Sequence, residues 1–306
     1  MTVAYSIPST PLAASRAMPV MLVADSNAAV RRARDSLEDG GMLASNHVRV
    51  VEAVEQLDRQ ARLGLLWVEL EDLDDGADRL LRRLDADVRA RRYSAVVAAP
   101  PELIDPISAL VAAPEVEVVI GRSEIQRASA LALAAANVPE SGVRDSSSDE
   151  SAARLRQLSE EVSRIAATLA RLSGGAGTQP APTGVEAPPT GDLPAIPAEG
   201  VRSVIRARRK RSEFFPADLF ADPAWDMLLD LLQAELVQHR VPVSSLCIAA
   251  AVPATTALRW IKTMTDRGLL VRRPDPHDGR RVFMEMSRPT SHALRRYFTD
   301  VGFAAV

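Results

Sequence analysis

The stretch SSLCIAAAVPATTALRWIKTMTDRGLLVRRPDPHDGRRVFMEMS, residues 244–287, decides how the C-terminal third of the chain folds. Ser244 is placed to cap a short helix over 245–250. Ala251, Val252 and Pro253 make a turn, and a second helix over 254–267 stops at Gly268. Two helices around so short a turn are a helix-turn-helix. In the second helix Ala257, Ile261 and Met264 keep an inward 3–4 spacing with Leu258 beside them, which turns Thr255, Thr256, Arg259 and Lys262 to the other side. Short polar residues followed by two cations suit a helix whose start enters a major groove and whose later turns lie beside phosphates. Arg259 is the best placed to read a base edge.

Beyond Gly268, two β-type runs, Leu269 to Arg273 and Arg280 to Met286, flank the turn-forming residues Pro274 to Gly279. They predict a hairpin whose cations, Arg272, Arg273, Arg280 and Arg281, gather toward its tip. His277 at that tip reads either as a phosphate contact when protonated or as a solvent-exposed turn residue. Helix-turn-helix and hairpin together make an α+β winged helix, flanked by helical patterns over 221–238 and 289–301.

The run Val252 to Ser287 resembles the DNA-binding core of MarR-type winged-helix regulators. The likeness rests on the mid-helix Arg259, the Asp-Arg-Gly-Leu-Leu exit at 266–270, the arginine pair, and the Asp-Pro-His-Asp-Gly-Arg-Arg wing at 275–281 leading into Val-Phe-Met-Glu-Met-Ser. The resemblance implies double-stranded DNA as partner and a homodimer as the binding form. It also implies an Asp-x-Arg element, Asp278 and Arg280, that aims Arg280 at the DNA backbone or minor groove. Members of that family are usually free-standing and half this length, and they dimerise through terminal helices enclosing an effector pocket. Here the N-terminal flank is instead the basic run 206–211, so the family's small phenolic ligand is not carried over. Arg206, Arg208, Arg209, Lys210 and Arg211 read either as an arm adding phosphate contacts or as a solvated leader; beside a reader of DNA the arm is expected.

Upstream, five short β-type runs (Val20 to Ala24, Val48 to Val51, Leu65 to Leu70, Tyr93 to Ala98 and Val116 to Ile120) alternate with helical patterns over residues 18–137. Such alternation predicts a parallel sheet covered on both faces by helices. The order of elements looks like a response-regulator receiver, or a flavodoxin-like sheet of another lineage. Read as a receiver, the chain keeps one acid, Asp25, after the first strand and has Glu69 where the phosphorylated Asp would stand. Ala98 and Ala99 replace the hydroxyl, and Gly121 and Arg122 the Lys. No phosphorylation chemistry is therefore expected, and this region is left as a regulatory domain or a dock for a protein partner.

Between these ends, residues 138–150 are Ser/Asp-rich and read as a linker. In 151–173, Leu155, Leu158, Val162, Ile165, Leu169 and Leu172 form an a/d series, a coiled-coil helix expected to join two chains unless its seam packs on a domain of its own chain. Residues 174–200 are Gly/Pro-rich and predict a disordered tether ahead of the winged-helix domain at 201–306; residues 1–17 read as a disordered tail. The fold class is thus multidomain: α/β, a central coiled coil, then α+β.

The 306 residues carry a net charge of −3. Residues 201–306 hold 17 Lys+Arg against 11 Asp+Glu, or +6, leaving −9 on 1–200, so a polyanion would bind at the C-terminal end. No nucleophile elbow, phosphate-binding loop or dinucleotide fingerprint is present, so no enzyme, cofactor or catalytic residue is predicted. The four histidines have no metal-ligand spacing. The acidic run Glu69, Glu71, Asp72, Asp74, Asp75 reads as a solvated loop or a magnesium site. Cys247 reads as a buried structural thiol or an oxidant sensor. Trp225, Trp260, Phe214 and Phe215 are expected in the core. Neither a membrane span nor an export signal is read, which implies the cytoplasm. The function expected is a transcriptional regulator. The alternative is a protein-interaction adaptor that uses the winged helix as a dock, against which stand the four wing arginines. Val162→Asp, in the middle of the heptad seam, should raise the monomer fraction in sedimentation equilibrium; an unchanged mass removes the coiled coil.

Overall fold

The computed structural model describes residues 19–60, 62–139 and 193–303. Strands β1 (Val20–Ala24), β2 (Ala44–Arg49), β3 (Leu65–Glu69), β4 (Ser94–Ala99) and β5 (Val116–Ile120) form one parallel sheet in the order β2-β1-β3-β4-β5. This is a common doubly wound order. Between the strands run α1 (Asn27–Asp39), α2 (Val50–Arg59), α3 (Asp75–Arg89) and α4 (Ile104–Leu110), and α5 (Glu124–Ala136) follows β5. The strands are apolar throughout because both faces are covered. Leu22, Leu65, Trp67 and Val96 pack with Ala33 and Leu37 of α1 and Leu131 of α5. Their sequence neighbours Met21, Val23, Leu66 and Val68 pack on the opposite face with Leu57 of α2, Leu80 of α3 and Ile107 of α4. Ser26 and Asp74 cap α1 and α3.

The second strand departs from expectation. It begins at Ala44, and Val50 and Val51, assigned to a strand by their β-branching, open α2. An edge strand has one neighbour, so its backbone pairing with β1 places it while its polar residues hide it from pattern reading.

At the end of β3, Glu69 is only 3% exposed. Arg127 of α5 donates to both carboxylate oxygens, at 3.1 and 2.6 Å; Arg32 of α1 donates at 3.1 Å and the Trp67 indole N–H at 3.0 Å. Arg127 also donates to Ser36 Oγ at 2.6 Å and lies 5.2 Å above the Trp67 ring. The pair therefore ties α1, α5 and the sheet together.

The C-terminal region comprises α6 (Ala198–Lys210), α7 (Pro223–Leu236), β6 (Val241–Pro242), α8 (Val243–Ala249), α9 (Ala254–Asp266), β7 (Leu270–Pro274), β8 (Val282–Met286) and α10 (Arg288–Val301). Its strands form an antiparallel sheet in the order β6-β8-β7. Helix α9 ends in a Schellman motif: Leu269 N–H reaches Met264 O and Gly268 N–H reaches Thr265 O, both at 2.9 Å, with Gly268 at φ +70°.

Helix α6 starts inside the stretch that composition assigns to the tether. Its Gly200 lies against Phe303, where a Cβ would stand 2.8 Å from the ring, and Phe303 stacks on Phe298 at 4.8 Å. The basic run, read as an arm or a solvated leader, forms the end of this helix. Val201 and Val204 are buried, Arg208 pairs with Asp226 at 2.7 Å and Arg206 with Glu199 at 2.6 Å. Trp225 packs on Tyr297 and Phe298, but Phe214 and Phe215, expected in the core, are 71% and 52% exposed, and Trp260 is also exposed.

Two bodies on a tether were expected. The α/β and winged-helix regions instead belong to one compact unit and share a continuous apolar cluster running from the α2–α4 face of the sheet to Met227, Leu246, Ile261 and Phe298. The tail 1–17, most of the linker and tether, and the heptad residues Leu155, Leu158, Val162, Ile165, Leu169 and Leu172 lie outside the described residues. Arg127→Ala removes two of the four hydrogen bonds to the buried Glu69 carboxylate and its most buried counter-charge, and should cost about 3 kcal/mol by urea denaturation. Arg127→Leu with Glu69→Leu should recover most of that loss, and a double variant as unstable as the single one contradicts this account.

Candidate nucleic-acid interface

Helices α8 and α9 meet at 107°, within the range of a helix-turn-helix. Ala251 in the turn sits at φ +54°, a conformation glycine adopts more readily. On α9 Ala257, Ile261 and Met264 are buried in the winged-helix core, as their spacing requires. In the wing, Asp278 accepts from the Arg280 backbone N–H at 2.9 Å and its carbonyl from the Arg281 N–H at 3.0 Å; Asp275 accepts from the His277 N–H at 2.9 Å. These side chains close the loop as Asx turns.

The face of α9 read as outward-facing lies along the outer edge of β5. Thr255 is 1% exposed, and its Oγ1 accepts from the Ile120 N–H at 2.9 Å. One turn later Arg259 lies 3.3 Å from both Glu117 of β5 and Ser129 of α5. Thr256 and Lys262 are half-buried. Ser244, expected to cap a helix over 245–250, sits inside α8. Its backbone N–H and hydroxyl donate to Asp105 of α4 at 2.8 and 2.5 Å. Arg272 donates to the Ser108 carbonyl, and burial draws its guanidinium below the ordinary value, opposed by Asp85. Arg280 reaches Asp75 at 3.1 Å and Asp78 at 3.5 Å on α3. Its guanidinium thus goes to another region of the chain, while Asp278 holds its backbone.

Arg273, His277, Arg281, Arg209 and Lys210 are exposed. Arg273 pairs with Glu285 across the hairpin at 3.1 Å and Arg281 with Asp278 at 3.3 Å. Burial raises the Asp230 carboxyl, with Arg209 opposing it. The residues that sequence reading missed are receiving ones, Asp78, Asp105, Ser108, Glu117 and Ser129, while Asp75, read as part of a solvated loop or a magnesium site, pairs with Arg280 instead. One signal was available. Glu117 is the only acid in the strand Val-Glu-Val-Val-Ile, and a carboxylate in a strand due for burial calls for a partner.

The crevice at the C-terminal ends of the strands, about 570 Å3, is lined by Arg32, Glu69, Glu71, Asp72, Glu102 and Arg122 among others. Two of its acids are held in ion pairs, and the neighbouring Asp25 is held by backbone N–H groups. Glu69 is held by Arg127, Glu71 pairs with Arg32 at 2.9 Å, and Asp25 accepts from the Glu71 and Asp72 backbone N–H groups at 2.6 and 3.0 Å. Among the described residues no group of three or more His, Cys, Asp or Glu is placed to hold a metal ion, and no single helix is long and apolar enough to cross a membrane.

No protein-family model matches the chain, and no curated protein matches it. Solved structures similar to part of it include a transcriptional regulator from Thermotoga maritima (19% identity, 34% of this chain and 77% of that one, TM-score 0.19). BpsR of Bordetella bronchiseptica, whose DNA binding is regulated by 6-hydroxynicotinic acid, is similar at 21% identity over 35% and 73%, with TM-score 0.21. The adhesin competence repressor of Streptococcus pyogenes is similar at 14% over 33% and 69%, with TM-score 0.20.

Cys247 is 4% exposed in α8, and burial, aided by the nearby Asp105, pushes its thiol up to about 12. At pH 8 it then holds roughly a thousandfold less thiolate than an ordinary cysteine. A disulfide reagent such as DTNB should label the folded chain correspondingly more slowly than the urea-unfolded chain; equal rates refute the burial.

Proposed function

We propose that this chain is a DNA-binding transcriptional regulator of the cytoplasm that reads duplex DNA with α9 in the major groove and the β7–β8 wing beside the backbone. It acts as a homodimer joined through the heptad residues, with no enzymatic step, and its α/β region regulates the reader or docks a protein partner. The observation that carries this reading is the chemistry of the α9–wing face. Thr255, Arg259, Arg272 and Arg280 all meet oxygen or backbone groups, and two of the three arginines meet carboxylates. Guanidinium groups placed to pair with carboxylates, as Arg259 and Arg280 are, suit phosphates and the acceptor edge of guanine.

The adaptor reading keeps one observation in its favour: the same face already holds protein. Arg272 and Arg280, two of the four wing arginines that argued against an adaptor, have partners within the chain. A salt series separates the readings, because DNA affinity falls steeply between about 50 and 200 mM salt, with a slope of about 0.9 per neutralised phosphate.

Replacing Arg259 or Arg280 also removes a contact to the α/β region, so absolute affinity mixes two effects. The ratio of affinities for a selected duplex and a random one is free of this, since any change in the available reader multiplies both equally. Arg259→Ala should lower that ratio about tenfold or more, as loss of a bidentate base contact does. Arg280→Ala should leave it unchanged. Equal ratios for both variants overturn base reading by Arg259.

A further inference from the structure

We infer that the α/β region is an intramolecular competitor for the DNA-reading face: its carboxylates at Asp75, Asp105 and Glu117 hold α8, α9 and the wing in a closed, non-binding arrangement. This rests on the proposed reading of that face, and it assigns the regulation of the same site.

The contacts fall where DNA would. Glu117 meets Arg259, the residue assigned to a base edge, and Asp75 with Asp78 meets Arg280, assigned to the backbone. Asp105 takes both donors of Ser244 at the start of α8, the first helix of the motif. Ser108 offers a carbonyl to Arg272. Carboxylates facing guanidinium groups reproduce the charge and geometry of phosphate oxygens. Between them Thr255 is sealed against Ile120, so no groove can reach it while β5 is in place. The two partners therefore exclude one another. Residues 19–139 hold 20 Asp+Glu against 14 Lys+Arg, or −6, opposite the +6 of residues 201–306, which makes the intramolecular partner electrostatically suited to its role. Apparent DNA affinity is then the affinity of the open reader scaled by the fraction of chains that are open.

The test uses the full chain and a random-sequence duplex, read by fluorescence anisotropy at fixed salt. Asp75→Ala, Asp105→Ala and Glu117→Ala together leave every proposed DNA contact intact and should tighten binding about tenfold or more. Asp35→Ala, Glu38→Ala and Asp39→Ala together remove as many carboxylates from exposed positions of α1, and should change it little. Equal tightening by the two triple variants reduces the effect to net charge and overturns the inference. Unchanged affinity in the interface variant overturns it too, while leaving DNA binding standing. Hydrogen exchange on the wild-type chain gives a readout independent of any variant: saturating duplex should speed deuterium uptake in residues 116–122, because the Ile120 N–H loses Thr255. DNA bound with no such change overturns the closed state. An interface variant with faster exchange at 116–122 and no duplex binding at any salt overturns the DNA reading and the inference with it.

Discussion

Among the described residues the parallel sheet ends at β5, and no sixth strand pairs with the outer edge of that strand. An open edge invites pairing with other chains, and folded proteins cover it or break it up. Here α9 does the covering. A helix cannot offer a ladder of backbone partners, so the coverage is made by side chains: the Thr255 hydroxyl accepts the Ile120 N–H, and Arg259 reaches Glu117. The close approach of the two regions, and the burial of residues that would otherwise face solvent, follow from that arrangement.

The rest of the α/β region is built to stay fixed. Glu69 and Arg127, each nearly inaccessible, satisfy one another and draw in Arg32, Trp67 and Ser36. Such a cluster is costly to break by halves, because one charge without the other stays buried. It also ends any likeness to a switchable crevice at this position, since both oxygens of Glu69 are occupied by donors from helices on the same face. The contacts to the winged helix are different. Several are polar pairs near the surface, with Arg280 and Asp75 both open to solvent, where water and salt weaken attraction. The reader is thus joined to a rigid scaffold by a shared apolar cluster and the buried contact at Thr255, with screened charge pairs such as Arg280–Asp75 at the margin, where a competing anion meets the least resistance.

What the amino-acid pattern carried by itself was local. Short apolar, β-branched runs placed β1 and β5 residue for residue, turn residues put the helix-turn-helix and hairpin within a few residues, and three-to-four spacing picked out Ala257, Ile261 and Met264 as inward. These succeed because such features are enforced by neighbours close along the chain: Gly268 ends a helix through its own backbone freedom, and Asp278 closes a loop two residues long. The pattern failed at β2, whose place depends on pairing with β1, and at α6, whose start depends on Phe303 a hundred residues later.

Tertiary structure alone decided the setting of the candidate site. Periodicity divides a helix into an inward and an outward face, but outward from the winged-helix core is not the same as exposed. Thr255 and Arg259 point away from one core and into contact with another region of the same chain. Their partners lie more than a hundred residues away and carry no local mark beyond an acid in an apolar strand. A pairing of that kind is fixed by the free energy of docking two finished surfaces, which depends on shape and charge in three dimensions and leaves no period in the sequence.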